Sequence, residues 1–230
     1  MNVKAVIFDL DGTLVGFNLD YRALRAEVKG YLAKMGVPAS VLSLKENIFE
    51  MLNKAEIFVK NSGKSTEKMA AIRSEALGIA EKYELEAAMS TGLLPGAVET
   101  LKALKRMGLK IGLCTINSEK SASYILQRFK IAEFFDVVVT RNMVSQVKPN
   151  PEHLQVVLEA LSVAPEESVV VGDSSADMQC ARELKAIAVG LPTGISTVQQ
   201  LTSQGVNFII TSITDLPVLI EKLNKAQAVQ

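Results

Sequence analysis

Two features of the sequence predict an α/β protein whose mostly parallel sheet is interrupted by an all-helical insert. Short β-branched runs alternate with helical patterns from about residue 96 onward, whereas residues 17–90 carry three helical patterns and no convincing strand. The alternation implies strand–helix–strand units, because neighbouring parallel strands need a long crossover that is usually a helix. Residues 3–8 open the chain with five apolar positions out of six, the pattern of a strand buried on both faces. In the insert, Leu24, Val28, Tyr31, Leu32 and Met35 mark a first helix, and Ile48, Met51, Leu52, Ala55 and Phe58 a second. Met69, Ile72, Ala76, Ile79, Ala80, Tyr83 and Ala87 mark a third. Each set recurs at helical spacing, and MGVP at 35–38 and NSG at 61–63 separate them. Met35, Met51, Met69 and Met89 are expected to pack this bundle.

The tract TGLLPG at 91–96 returns the chain to the sheet, so residues 1–16 and 91–230 are expected to form one domain and residues 17–90 a helical one. Further strands are expected at 110–115, 137–140, 168–172, 186–189 and 207–210. Between them, Ala122, Ile125, Leu126 and Phe129, then Leu154, Val157, Leu158 and Leu161, show the i, i+3, i+4, i+7 spacing of amphipathic helices. The tail 226–230 is expected to fray.

Composition narrows the function classes. The 230 residues are 48% hydrophobic and 22% charged, which favours a globular chain over a disordered one. Lys+Arg and Asp+Glu both number 25, so no global positive field draws in nucleic acid or anionic lipid, and a small-molecule partner is expected. Cys114 and Cys180 lack the spacing of a zinc site or disulfide framework and are expected to be buried free thiols. No charged leader opens the sequence and no apolar run approaches the ~20 residues of a membrane span, which places the protein in the cytoplasm. Length leaves monomer and homodimer equally open.

The first buried strand runs into two carboxylates, Asp9 and Asp11. Ligands of parallel α/β sheets bind beyond the carboxyl ends of the strands, where these residues fall. Were the extended geometry to continue, both carboxylates would share one face roughly 6–7 Å apart. Two ionised carboxylates in one low-dielectric site repel unless a cation or a shared proton offsets them. Hard oxygens without histidine or thiolate suit Mg²⁺. A second cluster, Asp173 and Asp177, closes the run SVVVG at 168–172; if the two strands are neighbours, four carboxylates converge on one metal. For an anionic substrate, Thr115 ends another strand ahead of a helix whose backbone N–H groups can hold phosphate oxygens, and Lys148, ahead of Pro149, offers a point charge.

DLDGT at 9–13, Thr115, Lys148 and GDSSAD at 172–177 stand in the order of the four motifs of the haloacid dehalogenase-like superfamily, and over about 1–16 and 91–215 the chain resembles that family. Within it the chain resembles phosphoglycolate phosphatase-like members, whose helical C1-type cap matches the insert. The resemblance implies a Rossmann-like three-layer core and a Mg²⁺-dependent phosphatase acting on a small phosphorylated metabolite, of the phosphoglycolate or sugar phosphate type. It implies Asp9 as the nucleophile that forms an aspartyl-phosphate, and Asp11 as the acid and then base. Mg²⁺ would be held by Asp9, the Asp11 carbonyl and Asp173 with support from Asp177, while Thr115 and Lys148 hold the transferring oxygens. The second aspartate argues against dehalogenation, whereas a sugar phosphomutase of the β-phosphoglucomutase type uses the same pair and stays an alternative. A non-catalytic phospholigand-binding protein on this fold is another.

Two departures stand out: family members carry Asn directly after the second-motif Thr, here displaced to Asn117, and Gly16 replaces the Asp of DGTLVD. The first takes Asn117 out of the family's contact position, and the second weakens the likeness to the phosphoglycolate phosphatase-like members without touching the chemistry. The segment NSGKST at 61–66 ends like a P-loop, but Phe58 occupies the place of its first glycine and no strand precedes it; a turn between helices with Ser65 as N-cap is expected. His153, the one histidine, is expected at the surface of a helix start. Tyr21, Arg22 and Arg25 are specificity candidates only through their nearness to the first motif.

Overall fold

The computed structural model describes residues 2–62 and 66–225. The chain divides into two compact units: one comprises the residues up to Asn18 and from Ser90 onward, the other Leu19–Met89. The first unit holds a six-stranded, all-parallel sheet in the order β3-β2-β1-β4-β5-β6. Its strands are β1 Ala5–Phe8, β2 Lys110–Thr115, β3 Val137–Thr140, β4 Ser168–Gly172, β5 Ile187–Gly190 and β6 Phe208–Ile209. Each expected apolar run contains a strand: three match the expected bounds, β1 and β6 are shorter by one or two residues at an end, and β5 is shifted by one residue to end at Gly190.

Strand alternation explains why these runs are apolar throughout. Ala5, Ile7, Cys114, Val139, Val170 and Ala188 pack against α6 (Glu152–Leu161), α7 (Ser175–Glu183) and α8 (Val198–Ser203). Val6, Phe8, Ile111, Leu113, Val169 and Val171 alternate with them and are equally buried, under the opposite layer, where α4 (Ala97–Arg106) meets β2 and α9 (Leu216–Lys225). Both cysteines are buried free thiols, as expected.

The helical unit contains α1 (Tyr21–Lys34), α2 (Ile48–Asn61) and most of α3 (Thr66–Ser90) around its own core of Leu24, Val28, Leu32, Met51, Leu52, Ala55, Ile72 and Ala76. Asp20 caps α1 by accepting the Ala23 N–H, and Asn47 with Glu50 forms a capping box on α2. Met35, Met51 and Met69 pack as expected. Met89 does not: it is 59% exposed, because it lies in the last turn of α3, beyond the stretch that meets α1 and α2. The expected N-cap Ser65 and the tail 226–230 lie outside the described residues.

Candidate active site

The chain winds from β1 through β2 to β3 toward one edge of the sheet and from β4 through β5 to β6 toward the other, so the reversal lies between β1 and β4. A crevice beyond the carboxyl ends of the strands opens at such a point. The Asp9 N–H there donates to the Val171 carbonyl (2.9 Å), and Asp173 follows the paired strand. The strand ends at Phe8, as expected, and the extended geometry does not continue to Asp11. The N–H groups of Thr13, Leu14 and Val15 all bond to the Leu10 carbonyl, turning the chain so that Asp11 sits in a loop and not one residue on along a strand face. Gly12 makes this turn possible: its φ is +77°, and a Cβ would lie 2.7 Å from the Asp173 carboxyl carbon.

Asp9, Asp173 and Asp177 each present a carboxylate oxygen within 4.8 Å of the others. Asp11 is outside this group, so three of the four expected carboxylates converge. Lys148 Nζ donates to Asp9 Oδ1 (2.7 Å), Asp177 Oδ1 (2.6 Å) and the Cys114 carbonyl (2.7 Å), which engages all three of its N–H groups. Asp177 Oδ2 accepts the backbone N–H and hydroxyl of Ser174, so one residue both caps α7 and anchors Lys148. Thr115 is 1% exposed and its hydroxyl oxygen accepts the Asn117 N–H (3.2 Å).

Charge in this pocket is unbalanced. Burial pushes the Asp9 carboxyl up to about 6, against the pull of Lys148. Burial, with Asp9 and Asp177 nearby, pushes Asp173 up to about 8, although the Ile195 N–H opposes it. Burial alone would lower the Lys148 ammonium, but Asp177 and Asp9 outweigh it and raise it well above its ordinary value. Once all three are ionised, three carboxylates against one ammonium leave two negative charges, the deficit that a divalent cation neutralises. An all-oxygen donor set of this kind fits Mg²⁺.

Three features escaped the sequence reading. A loop after β5 clasps Asp173 and the turn at Gly12: Ile195 N–H donates to Asp173 Oδ2 (2.6 Å), Ser196 N–H to the Asp173 carbonyl (3.2 Å), and the Thr193 hydroxyl to the Gly12 carbonyl. No local motif marks it, since its partners lie about 20 and 180 residues away. His153 is buried, not at the surface. Its Nδ1 accepts the Lys148 N–H and its Nε2 faces the Val139 carbonyl (both 3.4 Å), while burial and the Lys148 charge push it down to about 4. The signal was present, because His153 precedes Val157 and Leu161 at four-residue steps on the buried face of α6. The third is the partner of Asn117, the residue displaced from the second-motif position: its Nδ2 donates to Asp11 Oδ2 at 2.6 Å. Of the specificity candidates in the helical unit, the Arg25 guanidinium stacks over the Tyr21 ring at 4.9 Å and donates to the Leu44 carbonyl, and Arg22 is exposed.

Comparison with known proteins identifies the family. Residues 6–190 match the family model described as haloacid dehalogenase-like hydrolase. Pyrophosphatase PpaX of Bacillus cereus is 27% identical over 98% of this chain and all of its own length. Phosphoglycolate phosphatase of Shigella boydii serotype 4 is 30% identical over 94% of this chain and 91% of its own. The crystal structure of beta-phosphoglucomutase from Clostridium difficile has the same fold, with a TM-score of 0.68 at 22% identity over 99% of this chain and 100% of that one. With the family model spanning most of the chain and the motif residues gathered where its strands end, the protein belongs to the haloacid dehalogenase-like hydrolases.

Proposed function

We propose that the protein is a Mg²⁺-dependent phosphatase that hydrolyses a small phosphorylated metabolite, of the phosphoglycolate or sugar phosphate type, through an aspartyl-phosphate on Asp9. The observation that carries this reading is the cluster of Asp9, Asp173 and Asp177, two of them bridged by Lys148, whose ionised form carries an excess of negative charge. The relatives named for phosphoglycolate and pyrophosphate hydrolysis support the substrate class.

Asp9, the Asp11 carbonyl and Asp173 would hold Mg²⁺, with Asp177 in support. When bound, the ion screens the carboxylates from one another and from the phosphate, and stabilises charge on the transferring oxygens. Lys148, bonded to Asp9 Oδ1, keeps the nucleophile ionised and oriented. The Asp9 carboxylate bonds to phosphorus as the ester P–O bond breaks, and Asp11 gives its proton to the departing alkoxide oxygen. Asp11 then takes a proton from water, whose oxygen bonds to phosphorus as the P–O bond to Asp9 breaks. The sum is one ester and one water converted to alcohol and phosphate. Thr115 and the N–H groups at the start of α5 (Glu119–Arg128) are suited to the transferring oxygens. The balanced charge is in keeping with a small ester, not nucleic acid or a membrane, as partner; a cytoplasmic location and a monomer or homodimer belong to the proposal.

Phosphate release is the test, from a panel of phosphoglycolate, hexose phosphates, nucleoside monophosphates and pyrophosphate, each with Mg²⁺ and with chelator. Release from one compound that needs Mg²⁺ and falls on the order of 10⁴-fold in Asp9→Asn supports the reading. Chelator-insensitive release, or full turnover by Asp9→Asn, overturns it.

A further inference from the structure

We infer that His153 is a positioning residue for Lys148: its imidazole pins the backbone N–H of Lys148 and so fixes where the lysine stem starts on its way to Asp9 and Asp177. The inference rests on the role proposed above for Lys148, which holds the nucleophile ionised and oriented. The Lys148 ammonium has acceptors in three different elements, Asp9 Oδ1 just after β1, the Cys114 carbonyl of β2 and Asp177 Oδ1 in α7. A flexible four-carbon stem meets all three together only if its backbone is held in place.

That backbone has few ways to be held. Pro149 carries no N–H, and the Asn150 N–H closes a turn on the Val147 carbonyl (3.0 Å). Among the described residues, the Lys148 N–H bonds to His153 Nδ1 alone (3.4 Å). A ring nitrogen that accepts carries no proton, so the proton of the neutral imidazole is on Nε2, which faces the Val139 carbonyl of β3 at 3.4 Å. One ring therefore ties the Lys148 loop to β3. From the other side the Cys180 thiol of α7 donates to the Asn150 carbonyl (3.4 Å). His153 is fully buried on the face of α6 that carries Val157 and Leu161, where an apolar side chain would fill the same space. Such a side chain would leave the Lys148 N–H buried without an acceptor, and the loop would shift to find one.

His153 is the one histidine of the chain, so the imidazole signals of the untagged protein belong to it alone. Proton–nitrogen correlation spectra of the metal-free protein at pH 7 should show Nε2 protonated and Nδ1 bare, and an ammonium signal protected from exchange with water that disappears in Lys148→Met. For His153→Leu the expected outcome is loss of that ammonium signal and, on the phosphate esters of the panel above, a kcat lowered about 10- to 100-fold with KM nearly unchanged, the mark of a displaced group that acts in the transition state. His153→Asn, whose amide oxygen can take the place of Nδ1, should restore both. If His153→Leu does not fold, His153→Gln replaces it, since its amide reaches the place of Nε2 and misses the Lys148 N–H. A proton on Nδ1, a protected ammonium and full kcat in His153→Leu, or equal losses in His153→Asn and His153→Leu would each overturn the inference. Wild type that releases no phosphate from any ester, yet shows the expected tautomer and a protected ammonium that His153→Leu loses, would overturn the phosphatase reading alone.

Discussion

Removing the Lys148 ammonium strands two buried carboxylates, because Asp9 and Asp177 both bond to it. Breaking one partner out of a buried ionic group costs about 3–5 kcal/mol. Lys148→Met should therefore lower the stability of the metal-free protein by ~3 kcal/mol in urea titrations with chelator present. A variant as stable as wild type would show that the bridge contributes nothing to folding. His153 carries a second residue-level prediction. Its folded value of about 4 lies below the ordinary 6.5, so its contribution to stability is full above pH 6.5 and is lost as pH falls toward 4. By pH 5 this amounts to about 2 kcal/mol. Wild type should accordingly lose about that much more stability than His153→Gln between pH 7 and pH 5, and parallel pH curves would rule the effect out.

At the scale of elements, the loop after β5 is the least conspicuous part of the site and one of its tightest. A Cβ on Gly194 would lie 2.0 Å from Asp173 Oδ2 and 2.9 Å from the Gly12 Cα, so Gly194→Ala must displace the carboxylate or the loop that clasps it. We expect it to weaken Mg²⁺ binding by at least about tenfold in calorimetric titration, in the range seen when residues supporting metal ligands are altered, while leaving the sheet folded. Unchanged affinity would separate this loop from the metal site. Strands and helices themselves were legible, because burial on two faces demands uninterrupted apolar runs and burial on one demands helical periodicity. The turn at Leu10–Val15 was not, since the same residues could have continued the strand until the Leu10 carbonyl gathered three N–H groups.

For the whole molecule, the raised values of Asp9 and Asp173 set the sign of a linkage between folding, protons and metal. Both carboxyls hold protons more tightly in the folded, metal-free protein than in the unfolded chain, so stability is lost as pH rises from about 4 through about 6 and about 8. A cation that binds the ionised pair restores it. Added Mg²⁺ should raise the melting temperature more at pH 8 than at pH 6, and Asp173→Asn should abolish the difference. An equal shift at both pH values would place the ion elsewhere. Among the described residues, no helix is long and apolar enough to cross a membrane.

Order along the chain was enough to determine the α/β class, the helical insert and the acidic residues at two strand ends, because these follow from local periodicity and from the cost of like charges beside a buried strand. Which groups meet was decided only by the tertiary structure. β1 and β4, more than 150 residues apart, had to be neighbours before Asp9 and Asp173 could share a pocket. Lys148 reaches Asp9 across 139 residues and Asn117 reaches Asp11 across 106. Hydrogen bonds of such separation leave no periodic trace in the sequence, since each partner obeys its own element's pattern and only the packing of the sheet brings them within bonding distance.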